Sequence, residues 1–347
     1  MNILIVRLSA IGDIVHTLAM VAPLKKTYPG CRITWLVEER SADLVAGYPG
    51  IDHVIISPRT TWQHELRRFR LTKTARSVKA FLKELRRESY DLVFDFQGLF
   101  KSAVLVGLTR GEKKIGFADA REGSPLFYHL KIPGPAFDDH ALKRHSALLA
   151  PFGISMKNYD FAPLYQPDDE AAVRELLQHE NIPPDMPLII INPCTLWPTK
   201  HWPREKAAKL CARLSRHTTH RLLFTGSRTD RPYLEQLCNL SGKQACNLGG
   251  KTSLRELAVL TAKADFILTM DSGPMHIASA VGTPAVALFG PTAPWRTGPF
   301  GTSDTIIRKE LPCSPCFTKK TCPAGHHRCM ADITVEEVYK LCCNYIH

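Results

Sequence analysis

Residues 3–18 read ILIVRLSAIGDIVHTL, and the order of residue types in this stretch decides the fold. Residues 3–8 form an apolar run broken only by Arg7, the pattern of a strand buried on both faces. Ser9–Ala10–Ile11–Gly12 predicts a turn, and residues 13–26 predict a helix. Further strands are predicted at 33–37, 54–56 and 92–96. Between the last two, residues 59–87 carry Leu66, Phe69, Val78, Phe81, Leu82 and Leu85 partly at helical spacing. Residues 123–167, richer in Pro, Asp and His, read as a connection between domains. The second half repeats the theme. Strands at 188–192, 221–224, 266–270 and 285–289 alternate with helices at 203–216, 228–240, 253–262 and 274–281. This alternation predicts an α/β fold of two doubly wound, Rossmann-like parallel-sheet domains facing a cleft.

The chain has 347 residues, enough for two cores, and 44% hydrophobic with 22% charged positions exclude long disorder. No apolar run approaches the roughly 18 residues of a membrane span. The first residues show neither a basic n-region nor a small-residue cleavage site, so no signal peptide is expected. There are 11 cysteines, and Cys31, Cys194, Cys211, Cys238, Cys246 and Cys342 lie in ordinary apolar context, which fits a reducing cytoplasm. Lys and Arg number 45 against 33 Asp and Glu, a net charge of +12. That balance points to an anionic partner: nucleic acid, nucleotide or a phosphorylated membrane surface.

In open parallel sheets ligands bind beyond the carboxyl ends of the strands, where loops feed helix N-termini. Four such loops carry chemistry. In the first, Gly12 permits a tight turn, and Asp13 fits either a first-turn acid or a general base. The second runs through Asp271, Ser272, Gly273, Pro274 and His276; its helix start suits a pyrophosphate, with His276 as a phosphate donor or a capping residue. It matches neither the dinucleotide fingerprint nor a Walker A loop, which counts against nicotinamide oxidoreductases and P-loop kinases. The third, NPCTLWPTKHWP at 192–203, offers Lys200 as a point charge for a phosphate or as a solvated lysine. The fourth, FTGSRTD at 224–230, places Asp230 where it can accept from ribose hydroxyls or simply start a helix.

These stretches, taken together, resemble glycosyltransferase family 9, the lipopolysaccharide core heptosyltransferases. The resemblance rests on IVRLSAIGDIVHTL at 5–18, WLVEE at 35–39, YDLVFDFQGLFKSA at 90–103 and AREGSPLFY at 120–128. It continues with KHWP at 200–203, MDSGPMHIA at 270–278 and FGPT at 289–292. AREGSPLFY is most similar to the heptosyltransferase I members. The resemblance implies a GT-B architecture and inverting transfer of heptose from ADP-heptose to Kdo of Kdo2-lipid A, with no metal or other cofactor required. It implies an acceptor domain at 1–165, a donor domain at 166–325 and a tail helix at 326–347 that crosses back to the first domain. Asp13 is then the base on the acceptor hydroxyl and Lys200 the contact to the departing ADP. Gly12, Thr195, Asp271, Ser272, Gly273 and His276 line the donor, Asp230 meets the ribose and Thr252 the adenine. Arg67, Arg68, Arg70, Lys101 and Arg121 meet acceptor phosphates and carboxylates. Ala293 departs from the family, where an Asp is common. A monomer at the inner face of the cytoplasmic membrane, binding no nucleic acid, is implied. Heptosyltransferase II, or another family 9 glycosyltransferase using a different sugar, is the nearer alternative, and a non-catalytic nucleotide- or RNA-binding protein the more distant one.

Two further segments carry distinct patterns. Residues 59–87 hold ten Lys and Arg against two Glu, with Trp62, Leu66, Phe69 and Phe81 interleaved, which reads as a membrane-surface element or a solvated helix face. Cys313, Cys316, Cys322 and Cys329, with His326 and His327 nearby, have enough ligands for a tetrahedral metal, yet lack a second tight pair. Reduced thiols in a compact loop are the expectation, and a structural metal is the weaker alternative.

Overall fold

The structure is a computed structural model and describes residues 1–242 and 244–346. The last residue of the expected tail, His347, lies outside the described residues. The chain divides into two compact units, with the boundary between Pro163 and Leu164.

The first unit holds a six-stranded sheet of β1 (Asn2–Val6), β2 (Arg32–Glu38), β3 (His53–Ser57), β4 (Ser89–Asp95), β5 (Arg110–Phe117) and β6 (Leu130–Ile132), in the order β3-β2-β1-β4-β5-β6. The second holds β7 (Leu188–Asn192), β8 (Arg221–Phe224), β9 (Ala245–Asn247), β10 (Phe266–Met270), β11 (Ala285–Phe289) and β12 (Thr305–Arg308), in the order β12-β11-β10-β7-β8-β9. Read from its other edge, the second order repeats the first. Every strand pairing is parallel. All residues of β7, β10 and β11 are buried, which is why these strands are apolar without alternation. In each sheet the strand order reverses at one point, between β1 and β4 and between β7 and β10. Loops diverge there and leave room for a ligand.

Four expectations are corrected. The helix expected over 13–26 is two, Ile11–Leu18 and Val21–Thr27, because Pro23 has no N–H for the Ala19 carbonyl and its ring crowds that group. Residues 59–87 form two helices, Arg59–Arg67 and Leu71–Leu85, joined by a link in which Phe69 takes a left-handed φ of 56°. The stretch 123–167 is no mere connection: it supplies β6 and the helix Ala141–Leu149, which packs on Ile11–Leu18. Strands β5, β6, β9 and β12 were not foreseen. The six cysteines expected in apolar context are all buried. The closing helix Val335–Cys342 packs on the helix Arg204–His217 and on β11. Among the described residues no helix is long and apolar enough to cross a membrane.

Candidate active site

At the switch point of the first sheet, Arg7 follows the end of β1 and Asp13 stands in the first turn of the helix Ile11–Leu18. The Arg7 guanidinium pairs with the Asp13 carboxylate and donates to the Phe96 carbonyl beyond β4. Arg7 is buried, while the Asp13 side chain remains 36% exposed, so one face of the carboxylate is open to a ligand. Burial alone raises the Asp13 pKa, but the Arg7 charge and the Ala10 N–H outweigh it and hold the carboxyl below the usual range. Behind it the Thr17 hydroxyl donates to the Asp13 carbonyl at 2.8 Å and contacts His145 Nδ1 at 3.2 Å. Burial, reinforced by Arg7, pushes His145 down to about 3, so this imidazole is neutral near pH 7.

The loop after β4 braces the same place. Asp95 is fully buried and accepts from Tyr128 at 2.8 Å, Ser102 Oγ at 2.9 Å, Gln97 N at 2.9 Å and Gly98 N at 3.1 Å. Burial still holds its carboxyl above the usual range. Gln97 Oε1 in turn accepts from Leu8 N at 3.2 Å and Ser9 N at 3.1 Å, fixing the start of the Asp13 loop. Sequence reasoning missed Arg7, Asp95, Gln97 and His145 as site residues. Arg7 and Asp95 each carried a signal, as the single charge in an apolar strand run at 3–8 and 92–96, whereas Gln97 and His145 carried none.

At the switch point of the second sheet, Lys200 Nζ pairs with Asp271 Oδ2 at 2.6 Å and donates to the Asp271 carbonyl at 3.2 Å. It also sits over the Trp197 ring at 4.4 Å. Thr292, on the loop after β11, donates to the same Asp271 oxygen at 2.6 Å. Asp271 thus orients the lysine, a role sequence reasoning did not assign. Ser272 precedes the helix Gly273–Val281, whose Pro274 lies in the first turn, and its hydroxyl meets Thr269 Oγ1 at 3.2 Å. His276 is buried with its ring stacked on Phe300.

The remaining donor candidates, Gly12 of the first unit apart, emerge from the carboxyl edge of the same sheet. Asp230 closes its own turn, accepting from Ser227 N at 2.8 Å and Ser227 Oγ at 2.5 Å. Gly250, at φ +71°, approaches Arg228 so closely that a Cβ would lie 2.7 Å from the Arg228 Cα, and its N–H donates to the Gly226 carbonyl at 2.9 Å. That contact brings the Asp230 loop beside the loop carrying Thr252. Thr195 accepts from Trp197 N at 3.2 Å, and Gly12 is buried in the first turn of its helix.

Of the acceptor candidates, Lys101 Nζ contacts Ser9 Oγ at 3.1 Å and Glu38 at 3.0 Å, beside the Asp13 loop. The Arg121 N–H donates to the Gly98 carbonyl at 3.2 Å while its side chain is exposed. Arg67 and Arg68 are exposed, and Arg70 reaches Glu65 at 3.5 Å. Among the described residues no three His, Cys, Asp or Glu are placed to hold a metal, Cys313, Cys316, Cys322 and Cys329 included. The cysteine loop instead braces the loops that carry Lys200 and Thr292. His327 Nε2 lies 2.6 Å from the Thr199 carbonyl, Thr199 Oγ1 donates to the Thr318 carbonyl at 2.6 Å, and the Phe317 N–H donates to the Pro291 carbonyl at 2.8 Å.

Two Rossmann-like units, each with a charged pair at its switch point, define the class: an α/β enzyme of GT-B architecture. Residues 78–327 match glycosyltransferase family 9 (heptosyltransferase), and the chain belongs to that family of glycosyltransferases. It is 31% identical over 343 residues to lipopolysaccharide heptosyltransferase 1 of Pseudomonas aeruginosa, covering 97% of this chain and 92% of that protein. It is 29% identical over 350 residues to lipooligosaccharide heptosyltransferase 2 of Haemophilus influenzae, covering 97% and 96%. The solved structure of E. coli heptosyltransferase WaaC with ADP-2-deoxy-2-fluoro heptose superposes with a TM-score of 0.77 at 25% identity, covering 99% of both chains.

Proposed function

We propose that this chain transfers L-glycero-D-manno-heptose from ADP-heptose to Kdo of Kdo2-lipid A, with inversion, as a type I heptosyltransferase of the lipopolysaccharide inner core. The observation that carries the reading is the half-exposed Asp13 carboxylate, kept ionised by Arg7 at a switch point. Asp13 accepts the proton of the acceptor hydroxyl as that oxygen forms its bond to the heptose anomeric carbon. The bond from that carbon to the ADP oxygen breaks, and the leaving negative charge is met by Lys200 and the N–H groups opening the helix Gly273–Val281. Gly12 allows close approach at the base. Asp271 orients the lysine, and Thr195, Ser272, Gly273 and His276 complete the donor loops. Asp230 and Thr252 take the ribose and the adenine. Residues 1–165 serve the acceptor through Arg67, Arg68, Arg70, Lys101 and Arg121, and residues 166–325 serve the donor.

In this reading the enzyme works as a monomer without a cofactor, at the cytoplasmic face of the inner membrane. The 29% identity to a heptosyltransferase 2 over 97% of the chain favours a second reading, addition of the next heptose. One experiment separates them: ADP-heptose is offered with Kdo2-lipid A or with its monoheptosylated form, and products are weighed by mass spectrometry. A gain of one heptose on Kdo2-lipid A is expected, and a gain only on the monoheptosylated form would replace the first reading by the second. The Asp13→Ala variant is expected to lose about 10²–10⁴-fold in turnover while ADP binding is kept. Wild-type turnover by that variant would refute the base.

A further inference from the structure

The helices Arg59–Arg67 and Leu71–Leu85 touch, and their contact sorts the interleaved aromatic and basic residues into two sets. Trp62 and Phe81 meet edge to face at 5.3 Å, with Trp62 Nε1 donating to Ser77 Oγ at 2.9 Å. Those two aromatics are core. Glu65, beside the link, is buried and paired with Lys73 at 3.1 Å and Arg70 at 3.5 Å, so its negative charge is turned inward and neutralised. What faces water is the opposite combination. Leu66 is 47%, Phe69 87% and Leu71 60% exposed, interleaved with the exposed side chains of Arg67, Arg68 and Arg70.

Phe69 is unfavourable in two independent ways. A bulky aromatic rarely takes a left-handed backbone, here φ 56°, and rarely stands almost wholly in water. Neither feature serves the folded core, since Trp62 and Phe81 pack without it. Three large apolar side chains within six residues, flanked by guanidinium groups, match a bilayer interface: apolar groups for the acyl boundary, cations for anionic headgroups. We propose that the link 66–71 is a wedge by which Leu66, Phe69 and Leu71 insert into the headgroup–acyl boundary of an anionic bilayer while Arg67, Arg68 and Arg70 lie among its phosphates. The wedge rests on the reading above, in which the acceptor is carried by a lipid and Arg67, Arg68 and Arg70 already meet its phosphates, and it adds a role for Leu66, Phe69 and Leu71, to which that reading gives none.

The test is sedimentation with phosphatidylethanolamine vesicles made with or without phosphatidylglycerol. The parent protein is expected to bind the anionic vesicles and to bind the neutral ones weakly. The double variant Phe69→Ser with Leu71→Ser should bind the anionic vesicles at least about tenfold more weakly, with its thermal midpoint unchanged. Phe69→Trp, which keeps an interfacial aromatic, should retain binding and guards against a folding artefact. On a water-soluble, delipidated Kdo acceptor the double variant should keep the parent's kcat/KM, and only transfer to the vesicle-borne acceptor should fall. Vesicle binding equal to the parent's would overturn the wedge, as would an equal loss on the soluble acceptor, which would put these side chains in the sugar site. If the parent transferred to neither acceptor, the acceptor reading would fail on its own, while the vesicle measurement would still decide the wedge.

Discussion

Arg7 decides what kind of acid Asp13 is. Two effects oppose each other at this carboxyl: burial favours the neutral form, and the adjoining guanidinium favours the anion. The guanidinium wins, so the carboxyl titrates below its ordinary value. It contributes stability above the unfolded-state pKa and loses that contribution as pH falls through the lower folded one. As the proposed base it is ionised near pH 7 but weak, so on that reading its effectiveness comes from placement more than from basicity. Replacing Arg7 by Met removes the charge and leaves the burial, so the Asp13 pKa should rise. The acid limb of the kcat/KM profile should move to higher pH, measured as initial rates from about pH 4 to 8 with ADP-heptose subsaturating. A limb that stays in place would mean that Arg7 does not set the ionisation of the base. The sequence displays Arg7 as an anomaly in an apolar strand. It does not display His145, whose closeness to Asp13 depends on where the helix Ala141–Leu149 packs.

Among the elements, legibility follows burial. Strands β1, β7, β10 and β11 announce themselves as mainly apolar runs without alternation because nearly every one of their residues is buried. By contrast β5 begins with Arg110, Gly111, Glu112, Lys113 and Lys114, and β6 pairs only with Ile115–Phe117, so its front half needs no apolar pattern. Strands β6 and β9 are three residues long, too short to show a period. The site is legible to the same degree. Asp13, Lys200 and the Asp271 loop stand at strand ends followed by helix starts, whereas the support behind them comes from other strands. Asp95 is the clearest case: four donors from β4's own loop, Ser102 and Tyr128 converge on one buried carboxylate. Asp95→Ala strands those donors away from water, a cost of about 3 kcal/mol or more. The thermal midpoint should fall by roughly 6–12 °C by calorimetry, at 2–4 °C per kcal/mol for a unit of this size. Asp95→Asn, which keeps the shape and one acceptor, should cost less. Equal midpoints for Asp95→Ala and the parent would show that the network carries no stability.

For the whole molecule, charge is divided unequally between the units. Residues 1–163 hold 24 Lys and Arg against 16 Asp and Glu, leaving +8 of the chain's +12, and the densest part is the segment 59–87. The cations of that segment are largely exposed, whereas Lys200 is 12% exposed and already paired with Asp271. Salt screens these two settings differently. Exposed charges lose most of their mutual interaction beyond a Debye length of about 8 Å at physiological ionic strength, and buried pairs are screened much less. The two substrates should therefore respond differently when sodium chloride is raised at fixed pH. The apparent KM for a vesicle-borne Kdo acceptor should rise about tenfold between dilute buffer and a few tenths molar salt. The KM for ADP-heptose, read in the same assays, should change by less than about threefold, since the cation proposed to meet it, Lys200, is sheltered. A delipidated acceptor should fall between the two, because it would keep the proposed sugar contacts to Lys101 and Arg121 but meets no charged surface. Equal salt sensitivity for donor and vesicle-borne acceptor would show that the surplus charge of residues 1–163 is a general property of the surface. The expected order, lipid acceptor above soluble acceptor above donor, would tie that surplus to docking on an anionic membrane.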